Sequence, residues 1–268
     1  MLSKELMRLP LSSAVACVIA AGALLFSDRV QAQGFGEFRN DPNEIILQVI
    51  QTMPQGGGYS ASNEATTRLA EAARDVRGTL TLEAAIAKPS YCSGATYLVF
   101  LKTLESLNHH SPITGPLADK LAISGQPDGV GIWGRWNANG PGTACLFREL
   151  QLGENFTDWN SARPGDFMKI FWNLNVGRRE HGHSAIYLGT VEENGIPYVK
   201  FWSSNQPNGF GQKQVPKTKM AYVIFSRLKH PEMLQQNYAT LPRKNTYLAG
   251  LTSKESSLTE AKVNSGVE

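Results

Sequence analysis

A cysteine and a histidine on separate elements are the residues of this chain best suited to nucleophilic chemistry. Cys92 stands in Pro89-Ser90-Tyr91-Cys92-Ser93-Gly94, directly before the run Ala95 to Leu107. That run is apolar almost all round, as a buried helix is, and it puts Cys92 in the first turn. Free N–H groups and the positive end of the helix dipole favour thiolate over thiol there. Gly94 would allow the backbone to approach close to the sulfur. A thiolate that attacks a carbonyl needs a proton carrier, and histidine is the usual one. The candidates are His109, His110, His181, His183 and His230. His230 precedes Pro231 at the edge of the polar tail. His109 and His110 follow the helix, about 15 residues and at least roughly 20 Å of helix rise beyond Cys92. His181 and His183 flank Gly182 at the head of a strand. His183 is the favoured partner and His181 the reserve, because a strand head can face a helix N-terminus packed on the sheet.

The elements that must position this pair fall into two blocks. Helical spacing appears in Glu44 to Met53, with Ile45, Ile46, Val49 and Ile50 on one side, and again from Asn63 to Arg77, ended by Gly78. Asn108 to Leu117 reads as a loop, and Gly125 to Gly142 as a long structured loop. After Arg163 the pattern changes. Pro164-Gly165-Asp166 is a turn signal with Asp166 as a turn residue, and Phe167 to Trp172 is a β-type run. His183 to Leu188 is a second strand. Glu192-Glu193-Asn194-Gly195 turns into Tyr198 to Trp202, and Met220 to Phe225 is the last strand. Helices first and an antiparallel sheet afterwards make an α+β domain.

Three segments in this order resemble the NlpC-type and CHAP-type cysteine hydrolases, which are papain-like peptidoglycan peptidases and amidases. They are Tyr91-Cys92-Ser93-Gly94 opening a helix, Arg163-Pro164-Gly165-Asp166-Phe167 opening a strand, and Gly182-His183-Ser184-Ala185-Ile186-Tyr187-Leu188-Gly189. The resemblance covers about residues 60–210 and implies a papain-like fold. It implies Cys92 as nucleophile, His183 as base and a polar residue on the next strand that orients the imidazole. Asn205 is the first choice for that third place and Ser203 the second. It also implies an oxyanion site around the Cys92 N–H, with Tyr91, Ser93 and Gly94 beside it. The chain departs from the family pattern in three ways. Tyr91 stands where an acidic residue is common, Ala95 where an aromatic is common, and the interval from Cys92 to His183 is longer than usual.

Composition sets the outer bounds. The 268 residues carry 26 Lys+Arg against 23 Asp+Glu, so no basic excess argues for nucleic acid. Lys4 and Arg8, the uncharged run Leu11 to Phe26, and Val30 and Ala32 at A-x-A positions read as a signal peptide over 1–32. That predicts a secreted or periplasmic protein with no stable membrane insertion after cleavage. The expected organisation is then an N-terminal extension over 33–59, a hydrolase-like domain over 60–228 and a disordered polar tail over 229–268. Neither a cofactor nor a metal is expected, since His181-x-His183 lacks further ligands at a recognisable spacing, and the chain is taken as a monomer. Trp133, Trp136, Trp172 and Trp202 could stack on sugar rings or fill the core; the first two and Trp202 are the substrate-binding candidates.

Three functions follow as alternatives. One is a cysteine hydrolase acting on an amide of peptidoglycan through a thioester. Another is a non-catalytic wall- or protein-binding module closed by a Cys92–Cys145 disulfide, which secretion would permit. The third is a papain-like acyl transferase acting on protein amides.

Overall fold

Most of the helices precede the long strands, and a few short ones follow them, in the computed structural model of the chain, which describes residues 41–125 and 128–267. The signal-peptide reading of 1–32 lies outside the described residues. Among these, no helix is long and apolar enough to cross a membrane. Helix α1 (Pro42–Thr52) starts at Asp41, whose side chain accepts from the Asn43 N–H, and buries Ile46, Val49 and Ile50. It packs on the central helix, so this part of the expected extension belongs to the domain. A short strand β1 (Gly56–Gly57) leads to α2 (Asn63–Ala72), whose N-cap is Ser62. Helix α2 stops short of Arg77. Ala73–Asp75 (β2) instead pairs with Leu80–Leu82 (β3) across a turn in which Arg77 and Gly78 both take positive φ.

Helix α3 (Cys92–Leu107) is buried nearly all round, as its composition requires. Three further helices occupy segments expected to be loop or left unassigned. They are α4 (Pro116–Leu121), α5 (Gly131–Trp136) and α6 (Gly142–Leu150). The glycines that suggested irregular chain there serve other ends. Gly131 takes φ +64° at the start of α5, and a Cβ on Gly142 would lie against the Arg135 carbonyl, so α5 and α6 meet closely.

The strands are β4 (Gly153–Phe156), β5 (Phe167–Phe171), β6 (Val176–Gly177), β7 (Gly182–Glu193), β8 (Ile196–Asn205), β9 (Gly209–Pro216) and β10 (Tyr222–Leu228). Seven strands form one antiparallel sheet in the order β1-β9-β8-β7-β5-β10-β4. Asn194 and Gly195 make the β7–β8 turn at positive φ, as the sequence predicted. Alternate residues divide the sheet between two cores. Phe167, Ile186 and Trp202 join the helix-side core, whereas Met168, Ala185, Tyr187 and Phe201 join the core on the other face. Helix α3 lies against β7 and β8. The α+β class therefore holds.

The segment after residue 228 is ordered, contrary to expectation. It forms α7 (Glu232–Asn237), α8 (Thr246–Gly250), β11 (Glu255–Ser256) and α9 (Leu258–Ser265). Its apolar residues are sparse, but Leu234, Leu248, Leu251 and Ala261 are each almost fully buried. Polar anchors fix the intervals between them. Arg135, itself buried, donates to the Pro242 carbonyl at 2.7 Å, Arg148 donates to the Val263 carbonyl, and β11 pairs with β6. Low apolar density reads as disorder only where such anchors are missing.

Candidate active site

Cys92 is the first residue of α3. Its N-cap, Tyr91, makes no side-chain cap, so no side chain occupies the first-turn N–H groups. The segment before it is tied to the sheet by Ser204, whose hydroxyl donates to the Ser90 carbonyl at 3.0 Å. Cys92 is a free cysteine and partly exposed as a residue, and Cys145 is also a free thiol, buried in a separate core on α6. Among the described residues no disulfide closes this site.

His183 lies one residue into β7, opposite Ile170 of β5. Its ring stands edge-on to Phe201 at 5.6 Å between centroids and 6.2 Å from Trp172. Asn205 ends β8, and its Oδ1 is 3.1 Å from His183 Nε2. The amide orientation follows from its other contacts. Nδ2 donates to the Gly211 carbonyl at 2.8 Å and to the Ser203 carbonyl at 3.2 Å, leaving Oδ1 as the atom turned to the ring. An oxygen there can only accept, so the ring carries its proton on Nε2 and Nδ1 is left for the thiol.

Burial raises the Cys92 thiol, but the charge and hydrogen bond of His183, the Ser184 N–H and the charge of Lys169 outweigh it. Together they hold the thiol down at about 6. These contacts favour the thiolate, which the His183 ring, fixed by Asn205, meets through Nδ1. Tyr59, from the segment between β1 and α2, meets the sulfur from outside. Its phenol is pushed up by burial and then by the charge of Cys92 and a hydrogen bond to it. Two cavities flank the pair. One of about 330 Å³ is lined by Tyr59, Trp172, His181, His183, Asn205 and Lys213, among others. The other, of about 310 Å³, is lined by Tyr59, Tyr91, Cys92, Ser93, Asn137, Lys169 and Glu180, among others.

Several predicted site residues take other roles. Ser203 is fully buried and donates to the Ser184 carbonyl at 2.6 Å, which braces β8 on β7 and takes it out of the triad. His181 lines the first cavity at its exposed rim, while the ring that meets the thiol is that of His183. Gly94 faces α2: a Cβ there would collide with the Leu69 side chain, so the glycine serves helix packing and not the sulfur. Trp133, Trp136 and Trp202 are 2 %, 1 % and 1 % exposed and belong to the helix-side core, so none can stack on a substrate. Trp136 donates its indole N–H to the Ser93 carbonyl at 3.1 Å and so props α3 from within. Of the tryptophans considered for stacking, only Trp172 lines a cavity beside the site. Tyr91 and Ser93 do line the second cavity, and the Ser93 hydroxyl donates to Asn137 Oδ1 at 2.5 Å. Asp166 is no mere turn residue. Fully buried, it binds Arg227 through both oxygens at 2.8 and 2.7 Å and accepts from Asn43, locking the entry to β5.

Sequence reasoning missed Tyr59, Lys169, Glu180 and Asn137. Tyr59 follows three glycines, which gave a turn signal and no chemical one. Lys169 and Glu180 look like ordinary surface charges until register and burial are known. Among the described residues no group of His, Cys, Asp and Glu is arranged to hold a metal ion. Comparisons of the chain with protein-family models, with curated proteins and with solved structures find no match.

Proposed function

We propose that this protein is a secreted or periplasmic, papain-like cysteine hydrolase that cleaves an amide bond in peptidoglycan. The observation that carries the chemistry is the alignment of thiolate, imidazole and amide. Cys92 is lowered to about 6 beside His183, and Asn205 holds the opposite ring nitrogen at 3.1 Å. The peptidoglycan assignment rests on the segment resemblance and on the signal-peptide reading of 1–32.

In the mechanism this supports, Cys92 Sγ attacks the scissile carbonyl carbon. The oxyanion that forms is met by the uncapped Cys92 N–H at the helix N-terminus, and the Tyr59 hydroxyl is placed to be its second donor. His183, protonated on Nδ1 in the ion pair, gives that proton to the leaving amine as the C–N bond breaks and the thioester is left. It then takes a proton from water, whose oxygen attacks the thioester and releases the acid and the thiolate. Asn205 keeps Nδ1 on the reacting side throughout.

Cys92→Ala should abolish release of new amino groups or peptides from purified sacculi, read by mass spectrometry of the digest, while the wild-type protein releases them. Release that survives the substitution overturns the assignment. Products in which a second amine replaces water would identify a transferase instead.

A further inference from the structure

The second cavity contains an ion pair whose cation acts on the Cys92 sulfur but has been given no contact with substrate. Lys169 Nζ is 2.5 Å from Glu180 Oε1, with side chains 13 % and 3 % exposed, and both line the cavity wall beside Cys92. Their placement follows from the sheet. Lys169 on β5 pairs with Ser184 on β7, the residue whose N–H meets the Cys92 sulfur. Gly182 makes room for them, since a Cβ at that position would lie against both Glu180 Oε1 and Lys169 Nζ.

The two partners are not equally occupied. Glu180 also accepts through Oε2 from the Gly140 N–H at 2.5 Å and the Gly177 N–H at 3.4 Å, so both of its oxygens are engaged. Among the described residues, Glu180 is the only carboxylate paired with Lys169, whose ammonium also acts on the Cys92 sulfur by its charge and lies 5.3 Å from the Phe171 ring centroid. An ammonium has three donors. The cavity therefore offers donors from Lys169 and no free carboxylate.

We propose that Lys169 is the specificity-determining residue of this cavity, and that it selects substrates carrying a carboxylate on the residue next to the scissile amide. The inference rests on the hydrolase reading for the word substrate, but the anion preference can be read at the thiol alone. Glu180 holds the ammonium in place and withholds its own charge from the ligand. Strapping β11 to β6 fixes the Gly177 end of this arrangement.

The probes are iodoacetate and iodoacetamide, which alkylate the same thiolate and differ in one negative charge. The ratio of their rate constants cancels the thiolate fraction, and free cysteine gives its reference value. In the full chain, Cys92 should favour iodoacetate relative to that reference, partly through His183. The doubly neutral variant Lys169→Met with Glu180→Gln leaves no unpaired buried charge, and it should lower the ratio roughly fivefold, the scale of one partly exposed charge-assisted contact. Glu180→Gln alone keeps the cation and should hold or raise the ratio, and Lys169→Arg should retain it. An unchanged ratio in the double variant, or a fall in the Glu180→Gln variant as large as in the double one, overturns the proposal. Loss of sacculus cleavage is a separate readout: a wild-type protein that prefers iodoacetate but releases nothing from sacculi sinks the hydrolase reading and leaves the anion site standing.

Discussion

The two cysteines of the described chain sit in two helices and end with opposite chemistry. Cys92 is the first residue of α3, partly exposed, beside His183, and its thiol is lowered to about 6. Cys145 is the fourth residue of α6, 1 % exposed, and its thiol is pushed up to about 12, by burial first and then by Glu149. Both are buried enough to feel desolvation, so burial does not separate them. What does is the company: an imidazole, a backbone N–H and an ammonium at one sulfur, and at the other an apolar cluster in which the Glu149 carboxylate outranks the opposing charges of Arg148 and Arg135. A nucleophile is made by its partners, and those partners come from β5 and β7, far from it in sequence.

The largest expected contrast is in labelling. At pH 7 a thiol near 6 is about nine-tenths ionised and one near 12 about one part in 10⁵, so Cys92 should react with iodoacetamide at least roughly 10⁴-fold faster than Cys145. Peptide mapping of the alkylated native protein measures both sites in one sample. Equal rates at the two cysteines would remove the distinction altogether.

His183→Gln tests the origin of that contrast. Without the imidazole the Cys92 half-ionisation point should climb from about 6 towards the ordinary 9.0, and the alkylation rate at pH 7 should drop by up to roughly ninetyfold. The direction is fixed: the lowered thiol gains thiolate as pH rises through about 6, so the variant's profile must move to higher pH. A profile still centred near 6 would mean that Lys169 and the Ser184 N–H suffice.

Asn205→Ala probes a positioning role and so predicts a split. Turnover should fall about tenfold, the scale of losing a group that orients a catalytic histidine, with KM little changed. Alkylation should fall less, because the ring stays beside the sulfur and loses only its preferred tautomer. Asn205→Asp, which keeps an accepting oxygen towards Nε2, should recover part of the loss. Equal losses in turnover and alkylation would instead place Asn205 in the support of the whole strand end.

The same contrast explains what could be seen in the sequence. Cys92 stood before an apolar run, and the start of α3 is set by that local pattern. His183 headed a β-type run, and β7 begins at Gly182. The position of Asn205 came from the segment resemblance, since nothing local marks an asparagine at a strand end as an acceptor for a ring 22 residues away. Long-range pairings were hidden more completely. Tyr59 reaches Cys92 because Gly56 and Gly57 pair with the far strand β9, and no periodicity records that contact. The tryptophans misled for the same reason: Trp136 and Trp202 look like stacking platforms in a Gly-rich or polar context, yet tertiary packing buries both. Helices α5 and α6 were read as loop or passed over because Gly131 opens a helix at positive φ and Gly142 meets the Arg135 carbonyl, and neither breaks a helix.

The smallest effect belongs to Cys145 and closes the comparison from the other side. Cys145→Ala removes a small buried sulfur next to Phe171, Val176 and Ile224, and should cost about 1 kcal/mol with sacculus release unchanged. The cost should also depend on pH with a definite sign. The native thiol stays protonated up to about 12, whereas the unfolded thiol ionises near its ordinary 9.0. Between those values the native state binds the extra proton, so the wild-type protein loses stability as pH rises, by up to about 1.4 kcal/mol per pH unit. Alanine has no such slope, and Cys92 is common to both proteins. The wild-type advantage seen in denaturant melts at pH 7 should therefore shrink above pH 9 and vanish near pH 10. A gap that stays constant across that range would show that Cys145 ionises in the folded protein as readily as in the unfolded one, and the inert cysteine would no longer be inert.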